Sequence, residues 1–229
     1  MKKENRIQDG GKYSLKGSSL WGVLVFALLL LVDMVTKIVA DAYFSQDGAP
    51  ERIALIKGSL ELCIAYNRGI SFSIGSNAPI GAKIALVAGT GVLFVVFAIV
   101  YFKIDKRRSW LRWALVFIVA GGVGNLIDRV YYQVWDPASF PAGVRDMVRL
   151  KIFTFDFGVC NFADFFIVGG AIALMLSMLF FDSAAVFPLT KKYKALAKEE
   201  ERKEEEKKAE KSRRAAEKAR AKAEARKKE

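Results

Sequence analysis

Residues 161–181 read NFADFFIVGGAIALMLSMLFF. After Asp164 the run is almost entirely Ile, Val, Leu, Ala, Met, Phe and Gly, long enough to cross a bilayer as a helix of about 20 residues. Asn161 and Asp164 stand at its first turn. A second polar cluster, GGVGNLIDR at 121–129, closes another apolar run, and a further carboxylate, Asp146, lies between the two in VRDM at 144–147. Ionisable groups at membrane depth are costly, so an acid placed there marks a functional site by default. Asp128, Asp146 and Asp164 are three such acids, supplied by two span ends and the linker between them.

Composition narrows the chemistry. The 229 residues are 53% hydrophobic and yet 26% charged, with a mean hydropathy of +0.21. Those values coexist because charge and apolarity are segregated along the chain. From Lys191 onward there are 17 Lys/Arg and 10 Glu, which accounts for +7 of the net +12. The positive charge therefore describes a tail, and no nucleic-acid partner is expected. Histidine is absent. Ser-His-Asp triads, Cys-His pairs and His-ligated metal sites are excluded with it. Cys63 and Cys160 suffice for one disulfide or none, and for no Cys-rich metal site. Neither metal nor cofactor is expected, which leaves carboxylates, Lys or Ser to carry any hydrolysis.

Taken in order, residues 1–19 form a polar, basic arm. Spans are expected at about 20–43, 81–102, 110–128 and 162–181, within a membrane domain over 20–187, and a charged helical or disordered tail fills 188–229. The first span contains Asp33 and Lys37, four apart on one helical face with the acid N-terminal to the base. Residues 45–80 and 130–160 are linkers. The stretches 53–66 and 151–157 are β-like, and Asn67-Arg68-Gly69 is turn-like. The fold class is an all-α membrane protein of four transmembrane helices, with a small β-rich extracytoplasmic platform lying on the membrane. Basic residues are dense in the arm, the 103–108 loop and the tail, so those segments and both termini are placed in the cytoplasm. Asn67, Gly69, Asn125, Asp128, Arg129, Asp146, Asn161 and Asp164 then all fall near the outer face, with Asp33 and Lys37 in the outer part of the first span.

Each feature has a plainer structural reading. Asn161-x-x-Asp164 suits a helix N-cap with an acidic third residue. Asp128-Arg129 suits an interfacial ion pair, Asp33/Lys37 a self-neutralising pair, and Asp146 an ordinary loop acid. Capping explains neither the glycines beside Asn125 nor the second acid. The chemical reading is a pair of carboxylates too close to ionise together: one activates a water while the other, protonated, polarises a carbonyl.

The motifs resemble those of the lipoprotein signal peptidases, the type II signal peptidases. DMVTK at 33–37 is similar to the family's D-x-x-T-K, NRGISFS at 67–73 to N-x-G-A-A-F-S, and 121–129 to G-G-x-x-G-N-x-x-D-R. VRDM at 144–147 resembles V-x-D-F/Y, and NFAD at 161–164 resembles N-x-A-D. The resemblance covers about residues 20–182. It implies an intramembrane aspartyl endopeptidase of the bacterial inner membrane with Asp146 and Asp164 as catalytic dyad. Asn67, Gly69, Asn125, Asp128, Arg129, Asn161 and Ala163 would bind substrate or support the site, and Asp33 and Lys37 would brace the fold. The implied substrate is a prolipoprotein whose cysteine already carries diacylglycerol, cut just before that cysteine. Membrane lipid is the other partner, and a monomer is expected. Departures from the pattern are Ile70-Ser71 for Ala-Ala, Met147 for an aromatic, Cys160 for Phe, and a longer 130–145 linker. A proton-relay transporter and a scaffold of capped helices are the rival classes.

Overall fold

The computed structural model describes residues 15–69, 78–104, 108–136, 138–139, 141–182 and 191–226. Residues 1–14 of the 1–19 arm, residues 70–73 of the 67–73 motif with its Ile70-Ser71 substitution, and the tail junction around Pro188 lie outside the described residues, while 15–19 of the expected arm are already helical. The helices are α1 (Leu15–Phe44), α2 (Ile80–Lys103), α3 (Ser109–Tyr131), α4 (Phe162–Leu179) and α5 (Lys191–Arg226). Strands β1 (Ile53–Ile56) and β2 (Leu60–Asn67) follow α1, and β3 (Val144–Ile152) and β4 (Phe155–Cys160) join α3 to α4. Among the described residues, four helices are long and apolar enough to span a membrane: 20–44, 80–103, 109–131 and 162–179. A helical membrane protein with a small antiparallel sheet is thus the observed class.

Residues 1–174 and 175–229 form two compact units. In the first, α3 is the central helix. More than half of its apolar window is buried, against about a tenth for α1 and α2, both of which pack on it. The glycines of the 121–124 cluster explain how one helix serves so many neighbours. A Cβ on Gly121 would stand 2.3 Å from the Ala163 carbonyl oxygen of α4, one on Gly122 would meet the Phe94 ring of α2 at 2.0 Å, and one on Gly124 would sit 2.4 Å from the Asp33 carboxylate of α1. Three glycines thus give close approach to three different helices. This is the small-residue packing expected where apolar lipid supplies no hydrophobic drive between helices. Farther along α3, Leu115 and Val116 pack with Tyr101, Val25, Phe26 and Phe97.

The four strands form one antiparallel sheet in the order β1-β2-β3-β4. Asn67 faces Val144, Tyr66 faces Arg145 and Ala65 faces Asp146 across β2 and β3. The β-like reading of 151–157 is too short at its start. β3 begins at Val144, so Asp146 belongs to a buried strand rather than an open loop. The second unit contains α5, whose 201–214 stretch is exposed; the helix carries i,i+4 pairs between Glu199 and Lys203, Arg202 and Glu206, and Glu210 and Arg214.

Candidate active site

The polar residues singled out in the sequence converge where α1 and α3 end and α4 begins. Asn161 is the pivot. Its side-chain oxygen accepts the Asp164 N–H at 3.0 Å, and the Asp164 Oδ2 accepts the Asn161 N–H at 3.1 Å. This is a reciprocal cap on α4, so the plain structural reading of Asn-x-x-Asp holds. The cap does not exhaust either residue. Asn161 Nδ2 donates to Asp146 Oδ1 at 2.6 Å and to Asn125 Oδ1 at 3.1 Å, and Asn125 Nδ2 donates to Asp164 Oδ1 at 2.9 Å. Two asparagines therefore tie the two carboxylates of β3 and α4 together. Asn67 adds a further hydrogen bond to Asp146, while its oxygen accepts the Gly69 N–H at 2.9 Å and closes the turn read at 67–69.

Beside this amide cluster lies an ionic one. Lys37, fully buried, reaches Asp33 at 2.8 Å, Asp128 at 3.5 Å and the Asn125 oxygen at 3.1 Å. Asp128 does not pair with its neighbour Arg129. It accepts Arg145 through the guanidinium at 2.7 Å and through the backbone N–H at 3.0 Å, which pins the start of β3 to α3. Arg129 instead donates to the Gly69 carbonyl at 3.4 Å, in range of the charges of Asp128, Asp146 and Asp164. Asp33 has a second task, accepting the Ala163 N–H at 2.9 Å. Ala163 is fully buried, its Cβ near Gly124. A larger residue there would push α3 and α4 apart.

Burial, reinforced by the neighbouring Asp164 carboxylate, pushes Asp146 up to about 7 against the hydrogen bonds of Asn161 and Asn67 and the charge of Lys37. At neutral pH Asp146 is thus poised to hold a proton. The cysteines offer no rival nucleophile. Both are free thiols, and burial drives Cys160 up to about 12 and Cys63 upward as well. Among the described residues no group of three His, Cys, Asp or Glu is placed to hold a metal ion.

A family model described as signal peptidase (SPase) II matches residues 25–180. The chain belongs to the signal peptidase II family. That makes it a protease and a multi-pass bacterial membrane protein. A lipoprotein signal peptidase of Fusobacterium nucleatum is 31% identical over 72% of this chain and 90% of its own length. One of Treponema denticola is 32% identical over 68% and 87%. A bacterial membrane enzyme solved by the in meso method at 1.9 Å resolution superposes with a TM-score of 0.55 at 22% identity, over 69% of this chain and 92% of that one, a likeness of fold.

Sequence reading misses Asp41, Tyr66, Tyr132 and Arg145. Tyr66 and Tyr132 both donate their hydroxyls to Asp41, the latter at 3.2 Å, and Arg145 approaches Asp41 at 3.9 Å with its guanidinium over the Tyr132 ring. Asp41, Tyr66 and Tyr132 stand in unremarkable local patterns, Arg145 fills the variable position of VRDM, and only the β2–β3 register brings Tyr66 and Arg145 face to face.

Proposed function

We propose that the chain is an intramembrane aspartyl endopeptidase that removes signal peptides from diacylglyceryl-modified prolipoproteins, cutting before the lipidated cysteine, with Asp146 and Asp164 as its dyad. The observation that carries the reading is the Asn161–Asn125 bridge. It couples these two acids through neutral amides and, among the described residues, leaves neither facing a cation within salt-bridge range. Asp164, whose oxygens accept two N–H groups, takes a proton from the attacking water. Asp146 gives its proton to the scissile carbonyl oxygen as the C–O bond to water forms. Collapse of the tetrahedral intermediate breaks the C–N bond, Asp164 protonates the departing amine, and Asp146 recovers a proton from the gem-diol.

A diacylglyceryl chain anchored in the bilayer holds its peptide bond at the interface, and the proposed site of Asp146 and Asp164 lies at that level. Asn67 and Gly69 edge that site for substrate backbone, Asn125 and Asn161 hold the dyad, and Asp128 with Arg129 supports it. Asp33 and Lys37 brace α1 against α3. The proposed orientation places the site at the outer face and both termini in the cytoplasm, with a monomeric membrane domain over 20–187 and a charged tail over 188–229.

The test is turnover of a diacylglyceryl-modified prolipoprotein by wild type, Asp146→Asn and Asp164→Asn in matched micelles. Each variant is expected to lose on the order of 10³-fold or more in kcat, with folding retained. Normal cleavage by either variant would remove it from the dyad. Cleavage by both would revive a scaffold reading of the acids.

A further inference from the structure

The sheet end remote from the dyad carries features that proteolysis does not use. The β3–β4 turn holds Phe153 in the left-handed region, φ +54°, where a bulky residue is disfavoured, and leaves its ring 92% exposed. Ile152 and Phe155 beside it are exposed, as are Leu55 and Ile56 at the neighbouring β1–β2 tip. The Lys151 N–H donates to the Ser59 carbonyl at 2.8 Å, so the two tips are held together. Between them a pocket of about 210 Å³ is lined by Arg52, Gly58, Ser59, Glu61, Arg149 and Lys151. Three cations there face two acids, Glu61 in the lining and Asp156 beside it. Arg52 reaches Glu61 only at 3.7 Å, Arg149 is held by Asp156 at 2.7 Å, and Lys151 makes no salt bridge among the described residues.

We propose that this end of the sheet docks on the bilayer, with the Phe153 and Phe155 rings in the boundary between headgroups and acyl chains and the Arg52–Arg149–Lys151 pocket holding the phosphate of an anionic phospholipid. Chain connectivity supplies the membrane. β1 and β2 lie between the end of α1 and the start of α2, and β3 and β4 between the end of α3 and the start of α4, so the sheet sits over one end of the spans. Exposed Phe and aliphatic side chains gain by burial in the boundary between headgroups and acyl chains, and cations beside it favour phosphate. A soluble anion would explain the pocket but not the strained, outward phenyl ring. A peptide segment would explain the apolar tips but not an excess of positive charge beside them. The inference needs only the spans and the sheet, and stands apart from the dyad.

The full-length protein in nanodiscs tests it. Phe153→Trp, read as the difference from the four native tryptophans, is expected to be quenched by acyl-brominated phospholipid. From mixed bilayers, native mass spectrometry should show phosphatidylglycerol retained over phosphatidylcholine. Arg149→Gln with Lys151→Gln should lower that enrichment, by roughly fivefold for each cation removed. Lys151→Gln alone, at an exposed residue outside the proteolytic site, should give the single step even if the double variant misfolds. A Phe153→Trp variant whose added fluorescence escapes quenching would overturn the docking. Undiminished enrichment in the charge variants, or displacement of the retained lipid by inorganic phosphate, would overturn the lipid site. Prolipoprotein cleavage is not the readout, so failure here is distinguishable from failure of the dyad.

Discussion

Asp128 and Asp146 sit on adjacent elements of one buried cluster, yet the protein surrounds them differently. Asp128 is held between two cations, Arg145 at 2.7 Å and Lys37 at 3.5 Å. Asp146 is held by the amides of Asn161 and Asn67, with Asp164 as its charged neighbour. A carboxylate facing cations is fixed as a charge and ties α1, α3 and β3 together. A carboxylate facing amides and another acid can exchange a proton. On the proposed mechanism the type of partner, more than burial, separates a bracing acid from a reacting one: both are under 4% exposed.

Removing charge from each should therefore produce opposite phenotypes. Asp128→Asn leaves Arg145 and Lys37 short of a partner inside the cluster and is expected to cost about 3–5 kcal/mol of stability. That should appear as a large drop in melting temperature and in folded yield. Asp146→Asn keeps a neutral, hydrogen-bonding side chain among amides, and should leave melting close to wild type while abolishing turnover. Similar destabilisation in both variants would break the comparison.

The pH response sharpens it. On the proposed mechanism Asp146 carries the proton that polarises the carbonyl, so kcat should fall as pH rises through about 7. Linkage gives stability the same sign. The folded pKa lies above the ordinary value of 3.8, so this group's contribution is fullest below about pH 4 and is lost as pH rises toward 7. Melting temperature measured across that window should decline, and Asp146→Asn should remove the part of the decline owed to this group. An alkaline limb of kcat that stays put when Asp164 is changed to Glu, which moves the neighbouring charge, would weaken the coupling of the two acids.

Much of this contrast is legible in the residues. Four apolar runs announce the spans, and Asp33/Lys37 announces a helical pair because its partners are four apart. What the sequence cannot display is contact set by register and helix packing. Asp128 sits next to Arg129 in the chain but pairs with Arg145, because β3 runs back past the end of α3. Asp146 resembles a loop acid because its strand lacks clean alternation: Val144 to Val148 are buried on both faces. Gly121, Gly122 and Gly124 read as one motif, and only the packed helices show that each faces a different neighbour.

The smallest effect should come at the edge of the ionic half, where Asp41 collects the hydroxyls of Tyr66 and Tyr132 and stands 3.9 Å from Arg145. Burial, with the Asp41 carboxylate alongside, pushes Tyr132 up to about 12 against the pull of Arg145, so its hydroxyl stays a donor across the working pH range. Tyr132→Phe removes that donor and keeps the ring beneath the Arg145 guanidinium. Asp41 still has Tyr66, and Arg145 still has Asp128. A loss of about 1 kcal/mol in stability is expected, with turnover nearly unchanged. Asp41→Ala removes the acceptor from both tyrosines and should cost more. If Tyr132→Phe instead lowered kcat tenfold while melting stayed constant, the boundary between bracing and reacting groups would have to be redrawn. Asp41 would then lie on the reacting side, acting on Asp146 through Arg145 and the β3 strand they share.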